Sequence, residues 1–88
     1  MTYSVRLAPS AVRDLERLSP RIVQAIIEFI YGDLASHPYR VGKALRNDLA
    51  GYFSARRGPD RILYGLDDET ITVDIIRVDH RASAHRPL

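Results

Sequence analysis

Apolar and polar residues alternate near the start of the chain and then change to a helical spacing. Within residues 2–7, Tyr3, Val5 and Leu7 point to one side, which predicts a strand with one buried face. From Pro9 onward apolar residues recur every three or four positions, with charged residues between them. This second pattern predicts an amphipathic helix.

A second helix is predicted from Ser19 and Pro20, because serine caps free backbone N–H groups and proline suits the first helical position. It should end at or before His37, since Pro38 disfavours helical backbone in the residue before it. Its apolar face is wide enough to pack broadly on a sheet. Two neighbouring stripes form that face: Ile22, Ile26 and Ile30, and Val23, Ile27 and Leu34.

The second half of the chain returns to strand-like patterns. The predicted order is β-α-α-β-β-β, an α+β fold in which two N-terminal helices pack on one face of a mainly antiparallel sheet. The first strand must pair with a C-terminal strand, because it has no sequential neighbour. The predicted segments are a polar connection (40–51), strands at 52–57, 61–67 and 70–78, turns at 58–60 and 68–69, and a polar tail (79–88).

Composition places the chain in the class of small globular proteins. Its 88 residues predict a single domain, 1–88, and the 45% hydrophobic content is enough for a core. The sequence has no cysteine, no signal-peptide pattern and no apolar run of about 20 residues, so we expect a cytoplasmic protein without a membrane segment. Twelve of its 13 basic residues are arginine, and a GC-rich genome explains that excess as well as function does.

Three arginines surround the predicted turn at 58–60. Arg56 and Arg57 precede the turn and Arg61 follows it, so like charges approach one another across two strands at a cost in stability. An RNA backbone would offset that repulsion and bind more tightly through counterion release. A solvated arginine edge that discourages aggregation is the alternative explanation.

A second basic cluster follows the last predicted strand. Antiparallel pairing of the last two strands would bring it beside the first cluster, where Arg56, Arg61, Arg81 and His85 can surround one phosphate. Histidine is the usual proton carrier near neutral pH, although histidines in a polar tail are often simply exposed. The cluster consists of Arg77, His80, Arg81, His85 and Arg86.

Other chemistries find little support in the sequence. It contains no glycine-rich phosphate loop, no HExxH motif and no nucleophile elbow. The acids Asp67, Asp68 and Glu69 suit a hairpin turn better than a metal site, and no cofactor or metal is expected.

Three stretches carry a family resemblance. SAVRDLERL, KALRNDLAGYFSARRGPDRILYGLDDE and RVDHRASAHR resemble the RelE/ParE superfamily of type II toxins, and most of all its RelE-type actinobacterial members. The resemblance covers essentially the whole chain and implies the α+β fold described above. It also implies ribosome-dependent cleavage of mRNA in the A site, without a metal, by attack of a ribose 2′-hydroxyl on the adjacent phosphorus.

The resemblance implies roles for individual residues. Arg61 and Arg81 match arginines that stabilise charge in the transition state, and His85 stands where the family has a tyrosine and could act as general base. Tyr52, Phe53 and Ser54 occupy the stretch where the family has lysines, which favours the alternative of a ParE-like gyrase inhibitor with no RNA cleavage. The residues expected to bind RNA are Lys43, Arg46, Arg56, Arg57, Arg77, His80 and Arg86.

The resemblance also implies a partner. Toxins of this kind are silenced by a cognate antitoxin, here RelB-like, in a heteromeric complex. We expect its helices to dock near the second helix, the sheet edge and the arginine cluster, where anionic side chains would offset the repulsion.

Overall fold

A five-stranded sheet with helices on one face forms the protein, and the computed structural model describes residues 2–80. The strands lie in the order β1-β5-β4-β3-β2. A π-helical turn, Ile30–Leu34, continues α2, and a 3₁₀ turn, Asn47–Leu49, precedes β3. The elements are β1 (Ser4–Leu7), α1 (Pro9–Glu16), α2 (Pro20–Phe29), α3 (Pro38–Val41), β2 (Gly42–Ala44), β3 (Tyr52–Arg57), β4 (Asp60–Asp67) and β5 (Thr72–His80).

The predicted fold class and the pairing of the first strand are both confirmed. β1 lies parallel to β5, whereas β2, β3, β4 and β5 pair antiparallel with their neighbours. Since β1 has no sequential partner strand, its free hydrogen-bonding groups are satisfied only by this long-range pairing. In residues 2–80, no helix combines the length and apolar character needed to cross a bilayer.

The core lies between the helices and one face of the sheet. Apolar residues of α1 and α2 supply the upper layer, and alternate residues of the three central strands supply the lower one. The fully buried side chains with the largest volumes come from both layers, so the helices cannot leave the sheet without exposing all of them to water. They are Tyr64, Ile26, Ile30, Leu34, Ile62, Ile75 and Val73.

Tyr64 joins the middle of the sheet to its outer edge. Its hydroxyl donates a hydrogen bond of 2.5 Å to the carbonyl of Pro38, and its ring stacks on Phe53. Gly42, at the start of β2, approaches so closely that a Cβ there would lie 2.1 Å from the tyrosine oxygen. The short helix α3 and strand β2 are therefore positioned by one buried phenol.

Two predicted segments need correction. The polar connection at 40–51 contains an edge strand, Gly42–Ala44, which pairs with β3 and is too short to show an alternating pattern. The last strand runs over Thr72–His80 instead of 70–78, so the first two residues of the predicted tail belong to the sheet. The order is therefore β-α-α-α-β-β-β-β, with one helix and one strand more than expected.

A β-bulge at Ile76 changes which side chains of β5 face the helices. The pairing with β4 shifts by one residue there, since Leu63 pairs with Arg77 but Tyr64 pairs with Ile75. A bulge reverses the facing of every residue beyond it. Val78 consequently enters the core, and Arg77 turns to the face without helices.

Burial of Tyr64 makes the protein sensitive to alkali. Burial raises the pKa of Tyr64 to about 12, so its contribution to stability is complete below about pH 10 and is lost as the pH rises towards 12. Tyr64→Phe should cost about 1–2 kcal/mol at neutral pH, because the Pro38 carbonyl loses its donor. It should also weaken the alkaline loss of stability, part of which remains because the pKa of Tyr3 is raised as well.

Urea titrations at a series of pH values measure both effects. Tyr31→Phe is the matched control, because Tyr31 is 54% exposed and its hydroxyl makes no hydrogen bond within the described residues. Equal alkaline sensitivity in the Tyr64→Phe variant and the wild type would contradict this assignment.

Candidate nucleic-acid interface

The face of the sheet opposite the helices is called the open face here. One row across it consists of Arg56, Arg61 and Asp79, which are successive cross-strand partners on β3, β4 and β5. A second row, two residues away on each strand, contains Lys43, Ser54, Leu63 and Arg77. The first row is called the arginine row.

Arg56 and Arg61 lie directly opposite each other and are both exposed. Cβ atoms of such pairs are about 4.5–5.5 Å apart, so two guanidinium groups share one region of the open face and repel each other. Among residues 2–80, no carboxylate forms an ion pair with either arginine. The sequence prediction that these two arginines meet is therefore confirmed.

Arg57 diverges from its neighbour Arg56. It lies on the helix side of β3, and its guanidinium stands 5.9 Å from the centre of the Phe29 ring, a cation–π distance. Side chains alternate between the two faces of a strand, and Ala55 is buried on the helix side. Arg57, two residues later, must therefore also point to the helix side. Arg57 is thus not part of the arginine row.

His80 also faces the helix side. Its Nδ1 lies 2.7 Å from Asp60 Oδ1, and the two side chains are 16% and 8% exposed. Without the bulge at Ile76 the same histidine would have stood on the open face. The structure therefore separates His80 from Arg61, and fastens the end of β5 to the start of β4.

Arg77 stands on the open face, but its guanidinium is held at the edge of the sheet. It donates from Nε and Nη2 to the carboxylate of Asp14 on α1, at 2.8 and 3.1 Å. The same carboxylate accepts a 2.8 Å hydrogen bond from the backbone N–H of Val78, beyond the end of β1. Arg77 is consequently an anchor between α1 and β5, and its RNA contact stays a prediction.

Lys43 lies at the other end of the second row from Arg77, towards the β2 edge of the sheet. It is exposed on β2 and pairs with Ser54, which is two residues from Arg56 on β3. Arg46 is exposed in the segment that follows β2. Lys43 can contact the phosphate backbone of an RNA strand that lies along the open face, and the RNA contact of Arg46 stays a prediction. Arg81, His85 and Arg86 lie outside the described residues.

Asp79 also lies in the arginine row, a position that the sequence pattern does not predict. It was assigned to a polar tail, whereas it is the cross-strand partner of Arg61 in the arginine row. The signal for it is the apolar pair Ile75 and Ile76, which interrupts the alternation of β5 and marks the bulge.

Comparison with known proteins agrees with this architecture. The family model described as ParE toxin of type II toxin-antitoxin system, parDE, matches residues 5–85. The chain belongs to this toxin family. The toxin is 58% identical over 86 residues to Toxin RelG of Mycobacterium tuberculosis, covering 98% of this chain and 99% of that one. It is 45% identical over 84 residues to Toxin RelE of the same organism, covering 96% and 87%.

Solved structures extend the comparison. The toxin matches a chain of the toxin-antitoxin complex RelBE2 from M. tuberculosis with a TM-score of 0.91 and 58% identity, over 94% of this chain and 95% of that one. It matches the isolated E. coli RelE toxin with a TM-score of 0.73 and 17% identity, over 97% and 87%. The second match shows a shared fold only.

The ion pair of Asp14 should make the toxin sensitive to acid. Burial favours the neutral form of Asp14, but the hydrogen bonds from Arg77 and Val78 outweigh it and hold the pKa of Asp14 below its usual value. Asp14→Ala should cost about 1.5–3 kcal/mol at neutral pH. The difference from wild type should shrink below about pH 4, as Asp14 becomes protonated in the folded toxin.

Chemical denaturation between pH 3 and 7 checks this expectation, in roughly half-unit steps. Glu16→Gln serves as the control, since Glu16 is an exposed acid on the same helix. A difference between Asp14→Ala and wild type that stays constant down to the lowest pH would contradict the assignment.

Proposed function

We propose that the toxin is a ribosome-dependent endoribonuclease that cuts mRNA in the ribosomal A site and so inhibits translation and growth. The observation that carries the proposal is the pairing of Arg56 with Arg61 on the open face, without a neutralising carboxylate ion-paired to either among residues 2–80. Repulsion between the two arginines lowers the stability of the free protein, and binding of a polyanion would offset that repulsion. Action on translating message would place the toxin in the cytoplasm.

The proposed chemistry is transesterification within the RNA chain. Arg61 and Arg81 stabilise the extra negative charge that develops on the phosphate, as fixed cations do most effectively in a partly dehydrated site. His85 carries protons between the reacting oxygens. The flanking phosphates are bound by Lys43, Arg46 and Arg56.

Replacement of Arg61 tests the proposal. Arg61→Ala should lower cleavage of ribosome-bound message by about 100-fold or more and relieve growth arrest, because it removes a charge from the transition state. The fold should survive, since Arg61 is exposed and makes no ion pair within the described residues. Mapping the ends of translating transcripts after induction measures cleavage.

Arg21→Ala is the matched control, since Arg21 is an exposed arginine on the opposite layer of the protein. It should arrest growth as the wild type does. Full toxicity in the Arg61→Ala variant would remove Arg61 from the active site.

The alternative is a ParE-like inhibitor of DNA gyrase. It is favoured by Tyr52 and Ser54, which stand on β3 where the resemblance implies lysines, and by the matching family model, which is described as a ParE toxin. A gyrase supercoiling assay run in parallel separates the two functions. Cuts within codons support the nuclease, whereas stalled DNA breaks with intact transcripts support the gyrase inhibitor.

We further propose that a RelB-like antitoxin binds the toxin in a heteromeric complex. The match to a chain solved within the RelBE2 toxin-antitoxin complex supports this partner. Half-buried Ile22, Val23 and Ile27 on α2 offer apolar contacts, and β2 leaves one edge of the sheet unpaired. Acidic residues of the partner would offset the charge of Arg56 and Arg61.

Co-expression with a RelB-like antitoxin should restore growth, and the two proteins should copurify. Val23→Asp on the toxin should weaken copurification, because it places a charge in the apolar contact. Copurification without relief of growth arrest would contradict the assignment of that protein as the antitoxin.

A further inference from the structure

The bulge at Ile76 brings a carboxylate into the arginine row. Beyond it, Arg77 and Asp79 face outward and Val78 and His80 face the helices, the reverse of the facing that the residues before it would set. Asp79 therefore lies directly opposite Arg61, and Arg61 lies directly opposite Arg56. A bulge is a known means of re-aiming a side chain near a functional site.

Asp79 differs from the other carboxylates of this region in making no side-chain hydrogen bond or ion pair among residues 2–80. Asp74, on the same strand and face, pairs with Arg6 at 2.7 Å, and Asp14 is bound by Arg77 and Val78. Within residues 2–80, Asp79 makes no side-chain hydrogen bond or ion pair, and it is only half-buried. Its charge acts on Arg77, two residues earlier on the same face, and no hydrogen bond has to break before its oxygens accept a proton.

The proposed reaction needs such an acceptor. Guanidinium groups stay protonated at any physiological pH and have no acceptor atom, so Arg56 and Arg61 can bind the phosphate but cannot remove a proton. An ionised carboxylate is an acceptor on both oxygens. The Cβ atoms of directly opposed residues lie about 4.5–5.5 Å apart, so an acceptor opposite Arg61 adjoins the phosphate that Arg61 binds.

We infer that Asp79 is the general base that removes the proton from the ribose 2′-hydroxyl. The inference rests on the proposed RNA cleavage. The proton passes to an Asp79 oxygen, the 2′-oxygen forms a bond to phosphorus, and the bond from phosphorus to the 5′-oxygen breaks. The leaving oxygen keeps the electron pair and takes a proton from a solvent water, and the hydroxide left behind removes the proton from Asp79. The products are a 2′,3′-cyclic phosphate and a 5′-hydroxyl.

Asp79→Asn tests this role, since it keeps the shape of the side chain and removes the acceptor. With message bound to purified ribosomes as substrate, kcat should fall by about 100- to 10,000-fold, the range typical of general-base removal. KM should change little, because the arginines that bind phosphate are intact. The acidic limb of the kcat–pH profile, which reports protonation of the base in the complex, should disappear.

Asp74→Asn is the matched control, because it removes a carboxylate from the same strand and face but outside the arginine row. It should keep the wild-type kcat and acidic limb. Asp79→Ala should in addition recover activity on addition of formate, a small carboxylate that can occupy the vacated space, whereas Arg61→Ala should not. If Asp79 had only a structural role, its replacement would not remove the acidic limb of the kcat–pH profile, and formate would not restore activity.

The outcomes distinguish a failure of the Asp79 assignment from a failure of the proposed nuclease function. A wild-type toxin that cleaves message alongside an equally active Asp79→Asn variant overturns the role of Asp79 and leaves the nuclease in place. A wild-type toxin that leaves message intact and traps gyrase overturns the nuclease itself. Where Asp79→Asn does not fold, the wild-type profile decides, because a kcat that is flat through the acidic range excludes a carboxylate base.

Discussion

The pairing of β4 with β5 is the constraint on which both the core and the arginine row depend. On one face it aligns Ile62 with Val78, which closes the core beneath the helices. On the other it aligns Arg61 with Asp79, at the end of the sheet where the polar tail begins. One register therefore sets stability and the candidate chemistry together, and a slip of one residue would exchange the two faces.

The helices contribute to the open face without touching it. The bonds from Asp14 on α1 to Arg77 and to the backbone of Val78 protect the edge of β5 beyond the last residue of β1. An unprotected strand edge invites pairing with another chain, so a side chain from a helix takes the place of the missing strand. The geometry of the arginine row is thus supported from the far side of the molecule.

Much of the fold follows from spacing alone. The alternation around Ile62 and Tyr64 predicts the central strands and their buried face, and the pair Ser19 and Pro20 marks the start of α2. The three-residue strand Gly42–Ala44 was missed, because it has no periodicity of its own and is fixed by contacts with Tyr64 from elsewhere in the chain. The spacing of apolar residues identifies an individual helix or strand. A contact between two distant elements leaves little signal in the sequence of either element.

The candidate site was predicted less completely, for the same reason. The meeting of Arg56 and Arg61 follows from a short turn between two strands, which is local information. The positions of His80 and Asp79 depend on a single extra residue in β5, which reverses the facing of both. Arg57 could have been placed correctly, since buried Ala55 two residues earlier fixes its side of the strand.

The exposure of the arginine row has a practical consequence. Arg56 and Arg61 are exposed and repel each other, so their paired charges do not stabilise the fold. On the proposed function, neutral replacements of these two arginines would yield a correctly folded protein that cells can make in quantity without an antitoxin. Such a detoxified scaffold is the natural material for crystallisation and for selecting binders against the native surface.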